Sequence, residues 1–189
     1  MRKETERCRE ALEHAAAGET VALVSSGDAG IYGMAGLAIE MADALGLDLE
    51  LEIVPGVTAA GAAAALLGAP LMLDFACVSL SDLLVPWAEI EKRLEAVAAA
   101  DLVVALYNPK SKKRVSGIKQ AARVFRKYRP GETPVGVCTA LDTESEKVEL
   151  SDLDHFLELE INMRSIVIVG NSATKMIRNR MVNPRGYEV

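Results

Sequence analysis

Two stretches of the chain are built alike, and together they restrict what it can fold into. Residues 21–26, VALVSS, form a short apolar run ending at Gly27-Asp28. Through Gly30 and Gly33 the chain passes into a segment, 33–45, with Met34, Leu37, Ala38, Met41 and Leu45 at helical spacing. Residues 47–54, LDLELEIV, alternate Leu49, Leu51 and Ile53 against Glu50 and Glu52 and turn at Pro55-Gly56. They lead into the small-residue helix of AAGAAAALLG, which Thr58 is placed to cap. A strand that stops at glycine and hands over to a helix, twice in succession, is the unit of a parallel α/β sheet. Loops at such strand ends are where α/β proteins hold small anionic or dipolar ligands.

Ahead of these units, residues 2–17 read as an amphipathic helix with Cys8, Ala11, Leu12 and Ala15 on one face, ended by Gly18. A domain that opens on a helix and supplies two strands falls short of the roughly 4–6 of an ordinary sheet. The expectation is that a first strand and loop lie upstream of Met1, or that another chain completes the sheet. Gly68-Ala69-Pro70 marks a change of character, predicting domains at 1–70 and 71–189. Beyond it come strand-like runs at 72–80, 102–107, 134–140, 146–150 and 165–169. They are interrupted by helices at 87–100 (Ile90, Leu94, Val97 inward) and 114–128 (Val115, Ile118, Ala122, Phe125 inward). The predicted fold class is α/β in two domains: a parallel α/β first domain, incomplete at its N-terminus, and an α+β second domain with a mixed sheet.

At 189 residues, half of them hydrophobic, the chain can bury a real core. A formal charge of −6 argues against a nucleic-acid partner, and no apolar run approaches the roughly 20 residues that span a bilayer. The opening MRKETERCRE is a charged helical pattern, unlike a signal peptide. Cys8, Cys77 and Cys138, with no C-x-x-C, read as packed thiols of a reducing cytosol. His14 and His155 are isolated, so no metal site is expected.

The segment Gly27 to Gly33 is spaced G-x-x-G-x-x-G, which is neither the dinucleotide fingerprint nor a P-loop. Gly27 and Gly30 let backbone approach a ligand. Asp28 either caps the following helix or accepts hydrogen bonds from a ligand's ammonium or ribose hydroxyls, and its charge disfavours phosphate. The Pro55-Gly56 loop offers either an uncluttered ligand surface or close helix–sheet packing. In the second half, SLSDLLVPW places Ser79, Ser81 and Asp82 after an apolar run, and ALYNPKSKKR places Tyr107 and Asn108 likewise, each loop stiffened by a proline. Lys110, Lys112, Lys113, Arg114, Lys119, Arg123, Arg126, Lys127 and Arg129 form the basic concentration. It is either a solvated helix face or, at its N-terminal part, an attractor for a polycarboxylate. The acidic stretch 142–160 is expected to face solvent.

Taken together, SSGDAGIYGMAG, VPGVTAAGAAAALLGAPL, DFACVSLSDLLVPW, ALYNP, IVIVGNS and NPRGY resemble the tetrapyrrole methyltransferases of cobalamin biosynthesis, over essentially the whole chain. SLSDLL, LYNP and PRGY in combination resemble the branch that methylates carbon 17 of a precorrin-3B-type ring and contracts the macrocycle. The resemblance implies two α/β domains, S-adenosyl-L-methionine in the cleft between them, an anionic tetrapyrrole substrate and a homodimer. Carried over by position, it implies Ser26, Gly27, Asp28, Ile31, Thr58, Ala59, Leu106 and Ala140 as cofactor-binding residues. Ring contraction additionally wants proton transfers, for which Asp82 and Tyr107 are the candidates within this chain, with Asn108 the third candidate catalytic residue; the substrate's carboxylates give Lys110–Arg114 a partner. The cofactor's sulfonium supplies the leaving group, so the implied task of the protein is alignment and exclusion of water.

The chain departs from the family in three places. It lacks the opening strand and its G-x-G-P-G-D loop, has Ala29 where proline is expected, and has Asn183 where threonine is expected. A remnant that binds cofactor or tetrapyrrole without turnover is therefore a second reading. RNA or protein substrates, known for other relatives, are disfavoured by the acidic charge and the second-half loops.

Overall fold

A computed structural model describes residues 3–188 and divides the chain into two compact units, Met1–Ala59 and Ala60–Val189. In the first unit, α1 (Glu4–Ala16) buries Cys8 and Leu12, and α2 (Ala35–Ala44) buries Ala35, Ala38 and Ala42. These spacings of three and four residues are the helical periodicity seen in the sequence. The two predicted strands, 21–26 and 47–54, form no ladder among the described residues. A strand is stable only beside another. Among the described residues neither has a strand neighbour, and Val24 is 80% and Val54 68% exposed.

From Ala60 onward α3 (Ala59–Leu67) belongs to the second unit, and its last turn leads into β1 (Gly68–Ala69). The division between units therefore falls at the start of the small-residue helix and not at Gly68-Ala69-Pro70, where the sequence pattern placed the boundary. Packing supplies the reason. Leu67 seats against Gly136, where a Cβ would collide with the leucine methyls, and β1 pairs with a strand near the C-terminus.

The main sheet comprises β2 (Phe75–Ser79), β3 (Val103–Tyr107), β4 (Pro134–Thr139), β5 (Lys147–Asp152) and β6 (Ser165–Val169), in the order β2-β3-β6-β4-β5. β2 and β3 are parallel, whereas β6 is antiparallel to both β3 and β4, and β5 is antiparallel to β4. This is the mixed sheet the sequence predicted. α4 (Trp87–Ala99) and α5 (Gly117–Arg126) cover one face, packing Ile90, Leu94, Ile118, Ala122 and Phe125 onto Val104, Leu106, Val135 and Val167. Val115, predicted inward, precedes α5 and is 47% exposed. Every residue of β6, SIVIV, is buried, as expected of a central strand covered on both faces. The pattern missed a small sheet, β1-β8-β7, formed with β7 (Lys175–Ile177) and β8 (Arg180–Val182). Its hairpin turns at Arg178-Asn179, both with positive φ, the geometry two-residue hairpins favour.

Arg129, read from sequence as part of a solvated face, is buried. Its guanidinium donates to the carbonyls of Leu102 (2.6 Å) and Gly170 (2.5 Å) and lies over the Phe125 ring at 4.9 Å. Burial lowers its pKa, partly offset by Asp101.

Candidate functional site

In the first unit the glycine loop and the Pro55-Gly56 loop are tied by one carboxylate. Asp28 Oδ2 accepts the Gly56 N–H at 2.9 Å, and Oδ1 accepts the N–H groups of Gly30 (2.8 Å) and Ile31 (3.1 Å). These bonds, Gly56's foremost, hold the Asp28 carboxyl below its ordinary pKa. Asp28 thus does not cap α2, whose N-cap position is Met34, six residues on; its own turn and the neighbouring loop take its oxygens instead. Two glycines are obligatory for this arrangement. A Cβ at Gly56 would collide with the Gly27 carbonyl, and one at Gly33 with the Ala29 carbonyl. Gly27 itself sits at φ +77°. The sequence reading singled out Gly27 and Gly30 for ligand approach. The backbone-to-backbone roles of Gly33 and Gly56 were missed, because such proximity leaves no mark beyond the glycine itself.

The interlocked loops leave Ser26 and Ile31 exposed and Thr58 and Ala59 partly so. Three N–H donors occupy a carboxylate with about four acceptor directions, so an anionic centre with accepting capacity lies among exposed side chains. That donor set fits a ligand with a cationic end better than one with a phosphate.

In the second unit, β2 and β3 run parallel and β3 and β4 each oppose β6, so the C-terminal ends of β2, β3 and β4 share one edge of the sheet. The topology therefore gathers Ser79, Ser81, Asp82, Tyr107, Asn108 and Ala140 along that edge. Ser79 Oγ accepts from Asn108 Nδ2 at 3.0 Å, and the Tyr107 hydroxyl accepts the Ala60 N–H at 2.9 Å at the start of α3. Asn108 (φ 51°) and Ala140 (φ 57°) both leave their strands in the left-handed conformation. For alanine that conformation is costly and marks a constrained strand end. Ala140 donates its N–H to the Arg164 carbonyl (3.0 Å) and accepts from Thr143 Oγ1 (2.7 Å).

Leu106 is fully buried in the core cluster between α4, α5 and the sheet, so its side chain is spoken for by packing. Asp82 stands 47% exposed with Arg114 Nε at 3.9 Å. Arg114 also reaches the Leu80 carbonyl at 3.4 Å and Met163 Sδ at 3.7 Å, so it braces three segments, while Lys112 and Lys113 remain exposed. A pocket of about 270 Å³ lies between Asp82, Trp87, Pro109, Arg114 and Gln120.

The profile of the tetrapyrrole (corrin/porphyrin) methylases matches residues 1–156. Over 187 residues the chain is 48% identical to a probable cobalt-factor III C(17)-methyltransferase of Salmonella typhimurium, covering 99% of this chain and 78% of that one. It is also 48% identical over 192 residues to the cobalt-factor III methyltransferase of Priestia megaterium, covering all of this chain but 36% of that relative's length. The crystal structure of the methyltransferase CobJ superposes with a TM-score of 0.90 at 37% identity, over 96% of this chain and 77% of that one. The chain belongs to the tetrapyrrole (corrin/porphyrin) methylase family.

Proposed function

We propose that the chain is an S-adenosyl-L-methionine-dependent methyltransferase that methylates carbon 17 of a precorrin-3B-type tetrapyrrole with ring contraction, in cobalamin biosynthesis. The observation that carries this reading is the 48% identity across 99% of the chain to a relative bearing a C(17)-methyltransferase name. Both relatives are named for the cobalt-containing substrate, which makes it the first to assay.

When bound, the cofactor supplies an electrophilic methyl group on a sulfonium. The chain's own residues bind, orient and exclude water. In this reading the Asp28 loop presents Ser26, Gly27 and Ile31, with Thr58 and Ala59, to the cofactor. Asp28 holds that surface in shape and favours a cationic ligand. Ala140 and the Leu106 strand contribute packing at the ends of β3 and β4. Asn108, oriented by Ser79, positions the substrate, and Asp82 and Tyr107 handle protons during contraction. Lys112 and Lys113, with Arg114 behind them, attract the substrate's carboxylates. The protein is cytosolic and works as a homodimer.

The test incubates the purified chain with S-adenosyl-L-methionine and cobalt-factor III, following by mass the gain of one methyl group in the tetrapyrrole. Calorimetry with S-adenosylhomocysteine runs in parallel. A folded chain that neither binds S-adenosylhomocysteine nor transfers methyl to the cobalt or the cobalt-free substrate sinks the reading.

A further inference from the structure

The cavity beside Asp82, about 270 Å³ in volume, is smaller than the roughly 300–1,000 Å³ of sites that enclose a whole ligand. It is the size for one arm of a larger molecule. Hydrogen-bond donors without close acceptors line it on three sides. Arg114 has a side chain 18% exposed, and the contacts of its guanidinium are all long: the Leu80 carbonyl at 3.4 Å, Met163 Sδ at 3.7 Å and Asp82 Oδ1 at 3.9 Å. Arg129, by contrast, reaches its two carbonyls at 2.5 and 2.6 Å. A guanidinium taken largely out of water and given no close oxygen suits a carboxylate, which its planar fork grips at two points. The start of α5 forms the second side through Ser116 and Gly117. Ser116 makes no side-chain cap bond, and among the described residues the N–H groups of Gly117, Ile118 and Lys119 have no backbone acceptor. Trp87 closes the third side. Its Nε1 is buried without a partner among the described residues, and a Cβ at Gly117 would stand 3.1 Å from its ring.

Donors without acceptors select an anion, and two further features say which. Asp82, half-exposed at the same cavity, opposes a doubly charged phosphate more than a singly charged carboxylate. Leu83 and Leu84, the next residues of the chain, are 64% and 96% exposed, so apolar surface adjoins the Asp82 wall. An anionic arm on an apolar body matches both. Resting on the reading of the chain as a tetrapyrrole methyltransferase, we infer that this cavity takes one carboxylate-bearing arm of the substrate, with Arg114 as its specificity-determining residue and Leu83 and Leu84 against the ring. Holding one arm fixes the rotation of a macrocycle whose four pyrrole units are closely alike, and so decides which carbon faces the methyl donor.

Trp87 is the chain's one tryptophan, so its indole N–H gives a single indole signal in a proton–nitrogen NMR spectrum of the whole chain. The probe is uroporphyrin III, a tetrapyrrole octacarboxylate. The Trp87 indole and Gly117 amide signals are expected to shift together and saturate, whereas the same ring with its carboxylates amidated leaves both in place. Arg114→Gln weakens binding about tenfold or more, the scale of one charged two-point contact, and keeps S-adenosylhomocysteine affinity within about twofold. Gln120→Glu sets a like charge in the cavity without touching Arg114 and weakens binding comparably, which covers a failure of Arg114→Gln to fold. With cobalt-factor III as substrate, Arg114→Gln raises KM about tenfold. An indole signal unmoved at the probe's solubility limit overturns the inference, as do unchanged affinity in the folded variants and equal shifts with acetate or inorganic phosphate at the same concentration. The binding readouts need no turnover. A chain that transfers no methyl yet binds the porphyrin here loses the proposed reaction and keeps the arm site; one that turns over with wild-type KM in Arg114→Gln does the reverse.

Discussion

The carboxylate of Asp28 accepts the amide of Gly56, 28 residues away in sequence, at 2.9 Å. One side chain therefore sets the relation between two loops that the sequence presents as separate. Asp28→Asn exchanges a charged acceptor for a neutral one, and S-adenosylhomocysteine binding is expected to weaken about tenfold, the scale of one charge-assisted hydrogen bond. Calorimetry checks this. Because the folded pKa of Asp28 lies below the unfolded one, its stabilising contribution is present above the unfolded value. It is lost as pH falls through the depressed folded value. The wild-type loops should therefore hold their order down to about pH 4 and lose it below, which exchange rates of the Gly30, Ile31 and Gly56 amides report.

Asn108 combines a left-handed backbone with a side chain bonded to Ser79. Asn108→Gly keeps the backbone and loses the amide, whereas Asn108→Ala loses the amide and strains the turn. Urea unfolding should place the alanine variant about 1–2 kcal/mol below the glycine variant. Turnover should fall in both, with S-adenosylhomocysteine affinity retained. A glycine variant with full turnover would remove Asn108 from the catalytic set.

Gly136 and Leu67 occupy one space. Gly136→Ala alone overpacks it, at a cost of about 1–3 kcal/mol, and Leu67→Ala alone empties it, at about 2–5 kcal/mol. The double variant should cost less than the two combined, by at least about 0.5 kcal/mol. Strict additivity in urea unfolding would mean that α3 does not seat there.

Asn183 is fully buried and its side-chain oxygen and nitrogen have no hydrogen-bond partner among the described residues. The family resemblance leads one to expect threonine at this position. Asn183→Thr removes one of the orphaned polar atoms and should stabilise the chain by about 1 kcal/mol, read as a higher melting temperature.

His155 and Asp152 pair at 2.7 Å, which raises the histidine pKa and helps keep the carboxyl's low. A raised folded pKa means that the histidine's contribution is complete below about pH 6.5 and is lost as pH rises through the folded value. Asp152→Asn should return the His155 titration, followed by NMR, toward its ordinary position.

The second unit was largely legible because its signals are local. Val-rich runs bounded by turn residues gave β3, β4 and β6, and apolar residues spaced by three and four gave α4 and α5. The hairpin at Arg178-Asn179 was not legible, since neither residue is the glycine that usually marks such a turn. In the first unit, residues 21–26 and 47–54 carry strand chemistry without strand partners among the described residues, and pattern cannot supply a partner. Site residues named from loops after apolar runs fall on the shared edge of the sheet because that edge is where strands end. The side chain of Leu106 is core, as the continuous burial of Val103 to Leu106 along β3 shows, and position in a family motif alone does not reveal that. The burial of Arg129 was invisible because its partners are the carbonyls of Leu102 and Gly170, distant in sequence and shared by all residue types.

The position of β6 between β3 and β4 bears on how the chain is made. During synthesis from the N-terminus, β2 and β3 emerge first and the β4–β5 hairpin later. Neither pair can join the other until residues 165–169 leave the ribosome. At about 5–20 residues per second, several seconds separate the end of β3 from that moment. Throughout this interval the inner edges of β3 and β4, valine-rich and unpaired, face whatever else is in the cell. Slowing elongation over residues 108–164 lengthens that window, so codon choice there should govern yield more than it does before Tyr107.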